Sequence, residues 1–340
     1  MGFDLQARLA AKSERWLVTG AAGFIGSHLV EALLKAGQHV VGLDNLATGY
    51  RANVADAVAR AGEGADTRFR FLEGDITDLD TCRRAVEKCD YVLHQAALGS
   101  VPRSIKDPLA SHRANVDGFI HMLTAARDAR VKRFVYASSS SVYGDDPALP
   151  KVESRTGRVL SPYAATKHVN EVYAQVFERT YGLGTVGLRY FNVFGPRQDP
   201  DGAYAAVIPR WMARLARGEV CDINGDGLTS RDFCFVANAV QANLRAALAE
   251  GPGVTDGVYN IAVGDKTSLN ELYAMIRAHV SKARPEVKDL PARYQPERPG
   301  DIKDSQADVS KARERLGYEP THTVQQGLEE TVRYYLERKS

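Results

Sequence analysis

The 340-residue chain carries 44 basic and 42 acidic residues, a net charge of +2 spread along its length, with 44% hydrophobic and 25% charged residues. That balance belongs to an ordinary globular protein of one large domain or two intimate ones, and no extended basic stripe argues for nucleic acid. The nearest approach to a membrane span, residues 16–34, is interrupted by Thr19, Ser27, His28 and Glu31, so none is expected.

The first fifteen residues lack the apolar core of a signal peptide and read as a short amphipathic helix. Cys82, Cys89, Cys221 and Cys234 form no C-x-x-C pair and no metal-ligand spacing. They read as buried free thiols of a reducing cytosol, in a soluble, cytoplasmic protein without a metal site.

Residues 16–19, Trp-Leu-Val-Thr, form a short apolar run that stops at Gly20, as a buried parallel strand does. Gly20-Ala-Ala-Gly23-Phe-Ile-Gly26 then opens an amphipathic segment, 24–35, closed by Gly37. The next run, 39–43, ends in Asp44. Strand, glycine turn, helix, strand and acid make up a βαβ dinucleotide fingerprint, here spaced G-x-x-G-x-x-G rather than G-x-G-x-x-G. Gly20 permits the tight turn, Gly23 the close backbone approach, and Gly26 the packing of helix on strand. The helix N-terminus can then face a pyrophosphate. Asp44 would accept hydrogen bonds from a ribose 2′-OH and repel a 2′-phosphate, which favours NAD over NADP. Arg51, nearby in sequence, counts against that preference.

The alternation continues with a strand at 68–72 that leads to Asp75, either a turn acid or a contact for adenine. Asp78 caps a helix at 79–88. A strand at 90–94 ends in Gln95-Ala96-Ala97, where small side chains would let a cofactor lie close. A long helix spans 108–129, and a strand at 131–136 delivers the four serines 138–141 at its carboxyl end. Open parallel sheets bind their ligands at that end. Ser161 and Pro162 supply the cap and first turn of a helix that carries Tyr163-x-x-x-Lys167. Residues at i and i+4 share one face, and an ammonium beside a phenol should favour phenolate. A hydroxyl from the serine run would complete a proton-handling set.

After a sixth strand at 185–190 the rhythm breaks into loop and turn chemistry. The expected fold is α/β: a doubly wound parallel-sheet dinucleotide-binding domain, residues 1–190, to which 233–263 return. Residues 191–232 and 264–340 form a smaller α/β substrate domain. Within it, Arg210, Arg214 and Arg217 share one face of a helix at 203–216, and for the last two a solvated basic face is the plain reading. Residues 222–227 imitate half of a calcium loop, but Phe233 stands where the bidentate Glu is required. The stretch 224–227 therefore reads as a hairpin turn.

Gly20-x-x-Gly23-x-x-Gly26, the serine run and Tyr163-x-x-x-Lys167, in this order, resemble the extended short-chain dehydrogenase/reductase family over nearly the whole chain. Arg189-Tyr-Phe-Asn-Val-Phe-Gly-Pro196 and Arg298-Pro-Gly-Asp301 narrow the resemblance to the nucleotide-sugar 4-epimerases. Leu98-Gly-Ser-Val-Pro-Arg-Ser104 and Gly202-Ala-Tyr-Ala-Ala-Val207 bring it closest to bacterial UDP-N-acetylglucosamine 4-epimerases, which interconvert UDP-GlcNAc and UDP-GalNAc for surface polysaccharides.

That resemblance implies a tightly bound NAD, held by Gly20, Gly23, Phe24, Ile25, Gly26, Asp44, Asn45, Asp75, Ile76, Gln95, Ala96, Ala97, Tyr163, Lys167, Tyr190 and Val193. It makes Ser139, counted back from Val142-Tyr143-Gly144, the catalytic serine. Tyr163 becomes the base for the sugar 4-OH, and Lys167 the residue that holds the nicotinamide ribose and depresses the tyrosine pKa. Hydride leaves C4 for the cofactor, the 4-keto sugar turns over, and hydride returns to the other face. The UDP-sugar would meet Ser100, Ser139, Ser140, Ser141, Asn192, Ala206, Val207, Arg210, Trp211, Asn224, Arg231, Arg298 and Asp301. Ser305 takes the place of a size gate beside C2, where a small residue admits a 2-acetamido group. The helices from Pro108 and Ser161 imply a homodimer.

Related 4,6-dehydratases and UDP-glucuronate decarboxylases carry an acid close after the corresponding hydroxyl residue. Ser140 and Ser141 stand there in this chain, so epimerisation is expected. UDP-glucuronate 4-epimerases, which share a serine-rich Ser-Val-Tyr-Gly run, and UDP-glucose 4-epimerases are the alternatives. Intact Ser139, Tyr163 and Lys167 argue against a catalytically silent nucleotide-sugar binder.

Overall fold

Seven strands form one parallel sheet in the computed structural model, which describes residues 3–202, 205–255, 257–297 and 303–337. They are β1 (Arg15–Thr19), β2 (His39–Asp44), β3 (Phe69–Glu73), β4 (Tyr91–His94), β5 (Arg133–Ser139), β6 (Thr185–Tyr190) and β7 (Gly257–Ile261). Their order is β7-β6-β5-β4-β1-β2-β3. Successive side chains of β1 alternate faces, so Trp16 and Val18 enter one core while Leu17 enters another. Both faces are covered, which is why the strands are apolar throughout rather than alternating with polar residues. The helices Phe24–Lys35 and Val236–Leu248 pack together on one face. Leu79–Val86, Gly118–Asp128 and Pro162–Tyr181 cover the other. The strand order reverses between β1 and β4, and the crevice outside their carboxyl ends is where this topology binds ligands.

A third core, built on Phe194, Trp211, Ile223, Phe233, Phe235, Leu272 and Leu328, lies outside the sheet. Of the segments expected to return to the sheet, only β7 joins it, beside β6. Cys234–Phe235 instead pairs in parallel with Val193–Phe194, because Phe233 and Phe235 bury themselves in the third core. The Val236–Leu248 helix that follows does pack against β5 and β6.

The turn at 225–227 does not close a hairpin. Asp222–Asn224 pairs in parallel with Arg293–Gln295, and Ser230–Arg231 pairs antiparallel with Thr267–Ser268. The turn therefore joins two separate ladders, and Asn270 Nδ2 donates to the Asp226 carbonyl at 3.0 Å to hold it there. The expected helix at 203–216 is observed as Val207–Ala216.

The expected helix at 108–129 is Pro108–His112, a π-helical stretch at Arg113–Asp117, and Gly118–Asp128. A further short helix, Val101–Lys106, precedes it, and the Asp107 side chain caps the next by accepting from Ala110 N at 2.9 Å. Ser138 and Ser139 still belong to β5, and Ser140–Tyr143 forms one 3-10 turn. The N-terminal helix is Leu5–Ala10 with Leu5 and Leu9 buried, and all four cysteines are buried and unpaired.

Burial also sets an acid limit. His94 on β4 faces the Thr19 hydroxyl at 2.9 Å, and burial lowers its pKa from 6.5 to about 3. Burial, then the Arg197 charge, lowers His28 from 6.5 to about 4. Below pH 6.5 the unfolded chain binds protons that the folded chain refuses, so stability falls as pH falls. Urea midpoints should drop continuously from pH 6.5 to 4, and His94→Gln should flatten that slope. An unchanged slope in the variant would clear His94 of the effect.

Candidate active site

The glycine turn works by contact distances. Gly20 has φ +67°, and a Cβ there would stand 2.8 Å from Ala96 N. A Cβ on Gly26 would stand 1.9 Å from the Gly20 carbonyl, so only glycine lets the Phe24–Lys35 helix start this close to β1. Gly23, the residue that caps this helix, meets only the Gly20 carbonyl, at 3.1 Å, and borders a cavity of about 540 Å³. That cavity is lined by every residue named above for the cofactor except Val193. Val193 is spent on the ladder with Cys234 instead.

Asp44 accepts from Ala22 N at 2.9 Å and Leu46 N at 2.7 Å, tying the glycine turn to the end of β2. Burial raises its pKa against those two bonds. Asp75 accepts from Asn45 Nδ2 at 2.7 Å and Thr77 N at 2.8 Å. Arg51 does not line the cavity; it pairs with Glu73 and lies over the Phe71 ring. The crevice thus offers a helix N-terminus, small residues and a carboxylate to a dinucleotide, which fits NAD.

The proton-handling groups meet at the carboxyl end of β5. Tyr163 is half-buried, and its phenol lies beside the Ser139 hydroxyl. Lys167 is buried; its Nζ donates to the Ala137 carbonyl at 2.8 Å and lies 5.9 Å from the Tyr163 ring centre. Burial raises the phenol pKa, opposed by the Ser139 hydroxyl, and burial lowers Lys167 to about 8, opposed by the Glu171 charge. The expected depression of the phenol by the ammonium is therefore corrected: the ammonium is aimed at a carbonyl, and desolvation favours both neutral forms. Ser139 Oγ also accepts from Ser141 N at 3.2 Å. Ser141 Oγ is buried without a hydrogen-bond partner among the described residues.

Sequence patterns did not reveal Asn243 and Asn115, which help hold this site together. Gln95, Tyr190 and Asn243 close a ring: Gln95 donates to Asn243 at 2.9 Å, Asn243 to the Tyr190 oxygen at 2.7 Å, and Tyr190 to Gln95 at 3.1 Å. Asn115, in the π-helical stretch, accepts from Leu98 N at 2.7 Å and donates to Leu98 O and Thr166 Oγ1. It pins the loop before Ser100, while Thr48, Arg113 and Ala114 line the cavity. The π-helical stretch itself is a feature that recurs at functional sites.

The substrate residues scatter more widely. Ser100 has φ +95° and caps Val101–Lys106 by accepting from Arg103 N at 3.3 Å. Asn192 is exposed with φ +32°, and its Nδ2 donates to Asp232 O at 3.2 Å. Ser305 N donates to Ser230 O at 3.1 Å, and Arg231 Nη1 donates to Ser230 O and Lys303 O at 2.8 and 3.3 Å. Asn192, Arg231 and Ser305 are thus joined through residues 230–232. Ala206 caps the Val207–Ala216 helix, Val207 and Arg210 are half-buried on it, and half-buried Asn224 ends the 222–224 ladder. Trp211 is corrected to a core residue: it is buried, and its indole N–H donates to Asp222 O at 3.1 Å. Arg214 pairs with Asp222 and Arg217 with Glu219. Arg298 and Asp301 lie outside the described residues.

Residues 16–262 match the family model described as the NAD dependent epimerase/dehydratase family. A UDP-glucose 4-epimerase of Mycolicibacterium smegmatis is 39% identical, covering 94% of this chain and 98% of that protein. A UDP-N-acetylglucosamine 4-epimerase from Methanobrevibacter ruminantium, solved with UDP-N-acetylmuramic acid, is 36% identical with a TM-score of 0.87, over 96% of this chain and 99% of that one. A Thermus thermophilus UDP-glucose 4-epimerase in complex with NAD is 34% identical with a TM-score of 0.80, over 95% and 99%. Among the described residues no helix is long and apolar enough to cross a membrane, and no cluster of His, Cys, Asp and Glu could hold a metal ion.

The contact distances separate two glycines. Gly26→Ala forces backbone apart and should cost about 3 kcal/mol or more. Gly23→Ala should fold with a near-normal thermal midpoint yet be purified with little NAD. Full NAD content in a folded Gly23→Ala protein would show that this glycine is not the point of close approach.

Proposed function

Because the chain belongs to the NAD dependent epimerase/dehydratase family and is an enzyme of the UDP-sugar 4-epimerase kind, we propose that its substrate is UDP-N-acetylglucosamine, interconverted with UDP-N-acetylgalactosamine. The observation that carries this reading is Ser305: a small side chain whose backbone is bonded to Ser230, next to Arg231. By the family resemblance, a small residue at that place admits a 2-acetamido group. The likeness to the Methanobrevibacter ruminantium enzyme supports the same substrate.

NAD, when held in this crevice, would supply the hydride chemistry at C4. The chain's own residues then handle one proton and one orientation. The proton of the sugar 4-OH passes to Tyr163, whose phenol lies beside the Ser139 hydroxyl. Lys167 stands one helix turn on, with its Nζ held on the Ala137 carbonyl, where it would orient the cofactor's ribose rather than act on the phenol directly. Ser140 and Ser141 offer hydroxyls where elimination would need a carboxylate, so nothing there promotes loss of water from the sugar. UDP-glucose is the second reading, favoured by the Mycolicibacterium smegmatis relative, because a serine gate does not exclude the smaller sugar.

Two exposed apolar faces support a homodimer. Leu109 is 78% exposed on Pro108–His112, and Val172 and Val176, 49% and 46% exposed, stand four residues apart on Pro162–Tyr181. Side chains at that spacing share one helix face, and a second copy of the same face would bury them.

Purified holoenzyme offered UDP-GlcNAc, UDP-glucose and UDP-glucuronate separately should epimerise the first fastest, and Ser305→Tyr should turn the ratio toward UDP-glucose. Conversion of the glucuronate alone, or an unchanged ratio in the variant, would defeat this assignment. By sedimentation, wild type should have the mass of two chains and Val172→Glu/Val176→Glu that of one; a monomeric wild type would remove the dimer.

A further inference from the structure

Three consecutive residues at the carboxyl end of β5 are each tied to the helix Pro162–Tyr181. The Ala137 carbonyl accepts from Lys167 Nζ at 2.8 Å, the Ser138 hydroxyl donates to Glu171 Oε1 at 2.5 Å, and the Ser139 hydroxyl lies beside the Tyr163 phenol. Tyr163, Lys167 and Glu171 follow one another at four-residue spacing, so they climb one face of the helix turn by turn.

Glu171 differs from the other two because it does not line the cavity. It is 4% exposed, and its carboxylate also takes two bonds from Arg189 of β6, Nε to Oε1 at 2.9 Å and Nη2 to Oε2 at 2.8 Å. Arg189 is 3% exposed, donates to Glu153 O at 3.1 Å, and lies 4.8 Å above the Tyr143 ring. One carboxylate therefore holds the helix to two neighbouring strands.

Stability alone does not account for such a pair. Apolar residues of similar volume commonly stabilise a core as well as a buried ion pair, or better. What apolar packing lacks is direction. Hydrogen bonds to Ser138 and Arg189 oppose sliding of the helix along β5, and sliding would separate Tyr163 from Ser139. Misplacement by about 1 Å is enough to cost about 100-fold in rate.

We propose that Glu171 is a positioning residue: shared between Ser138 and Arg189, its carboxylate sets the height of Tyr163 and Lys167 against the Ser139 hydroxyl. For its rate assay the inference rests on the 4-epimerase reading.

The test compares holoenzyme of wild type with Glu171→Gln, Ser138→Ala and the double variant Glu171→Met/Arg189→Leu. Each should fold and retain NAD. Glu171→Gln should lose about 10- to 100-fold in kcat with KM within about threefold. Ser138→Ala, which leaves the pair with Arg189 intact, should lose less. The double variant should recover the thermal midpoint that Glu171→Gln loses without recovering kcat. Recovery of kcat together with the midpoint would make Glu171 structural only and overturn the proposal, as would wild-type rates in both single variants. Amide hydrogen exchange at 163–167 needs no sugar. It should quicken in Glu171→Gln beyond the rest of the helix, and unchanged exchange would overturn the proposal. A wild type that turns over no UDP-sugar would refute the functional reading instead, leaving the exchange result to decide this one.

Discussion

Everything at this site depends on how close the Phe24–Lys35 helix comes to β1. With no Cβ on Gly26, its backbone lies against the Gly20 carbonyl, and a single methyl would stand 1.9 Å from that oxygen. The helix N-terminus therefore opens directly over the carboxyl end of the sheet, where its free N–H groups and dipole favour an anion. Asp44 makes the arrangement rigid from the other side, because its carboxylate bonds Ala22 N inside the turn and Leu46 N beyond β2. One carboxylate fixes the turn and still borders the cavity. A dinucleotide site of this kind is a set of backbone distances before it is a set of side chains.

The second requirement is that polar groups removed from water be satisfied, since each unpaired one costs about 1–3 kcal/mol. Apart from the Ser141 hydroxyl, the site meets it largely with closed sets rather than isolated bonds. Gln95, Tyr190 and Asn243 form a ring, and Asn115 bridges Leu98 and Thr166. Asp232, fully buried, accepts from Val263 N, Gly264 N and Ala307 N. Burial raises its pKa to about 7 in spite of those bonds. Tyr163 and Lys167 obey the same rule, and their proton affinities follow burial first and each other hardly at all.

These two requirements explain what could be seen in the sequence. The glycine turn, the apolar strands, Asp44 and the Ser161-Pro162 helix start are local patterns whose physics is complete within a few residues, and they placed the sheet and the crevice correctly. Asn243 and Asn115 carry no such signal. Each is one polar residue on a helix, and its purpose exists only once a distant segment arrives beside it. The turn at 225–227 misled for the same reason: glycine geometry announces a turn, but the partners of its flanking strands, Arg293–Gln295 and Thr267–Ser268, come much later in the chain. Trp211 looked available on an amphipathic helix, whereas a third core absorbs it. The Tyr163 phenol was misjudged because charge spacing is visible in a sequence and desolvation is not.

The residues proposed for sugar selection and for proton transfer sit on different parts of this architecture. Ser139, Tyr163 and Lys167 are anchored to β5 and its neighbouring helix, where packing and hydrogen bonds leave little freedom. Ser305 belongs to a segment held by main-chain bonds to Ser230, by the Ser230 hydroxyl on Asp304, and by Asp232 through Ala307 N. Residues 230–232 also carry Arg231 and accept from Asn192. A change of side chain at 305 therefore leaves the anchoring of Ser139, Tyr163 and Lys167 untouched. Conversely, a disturbance of Asp232 would move Ser305, Arg231 and Asn192 together. The proposed role of Ser305 depends on where its backbone is placed, and that placement rests in part on a buried aspartate that binds only main-chain N–H groups: Val263 N, Gly264 N and Ala307 N.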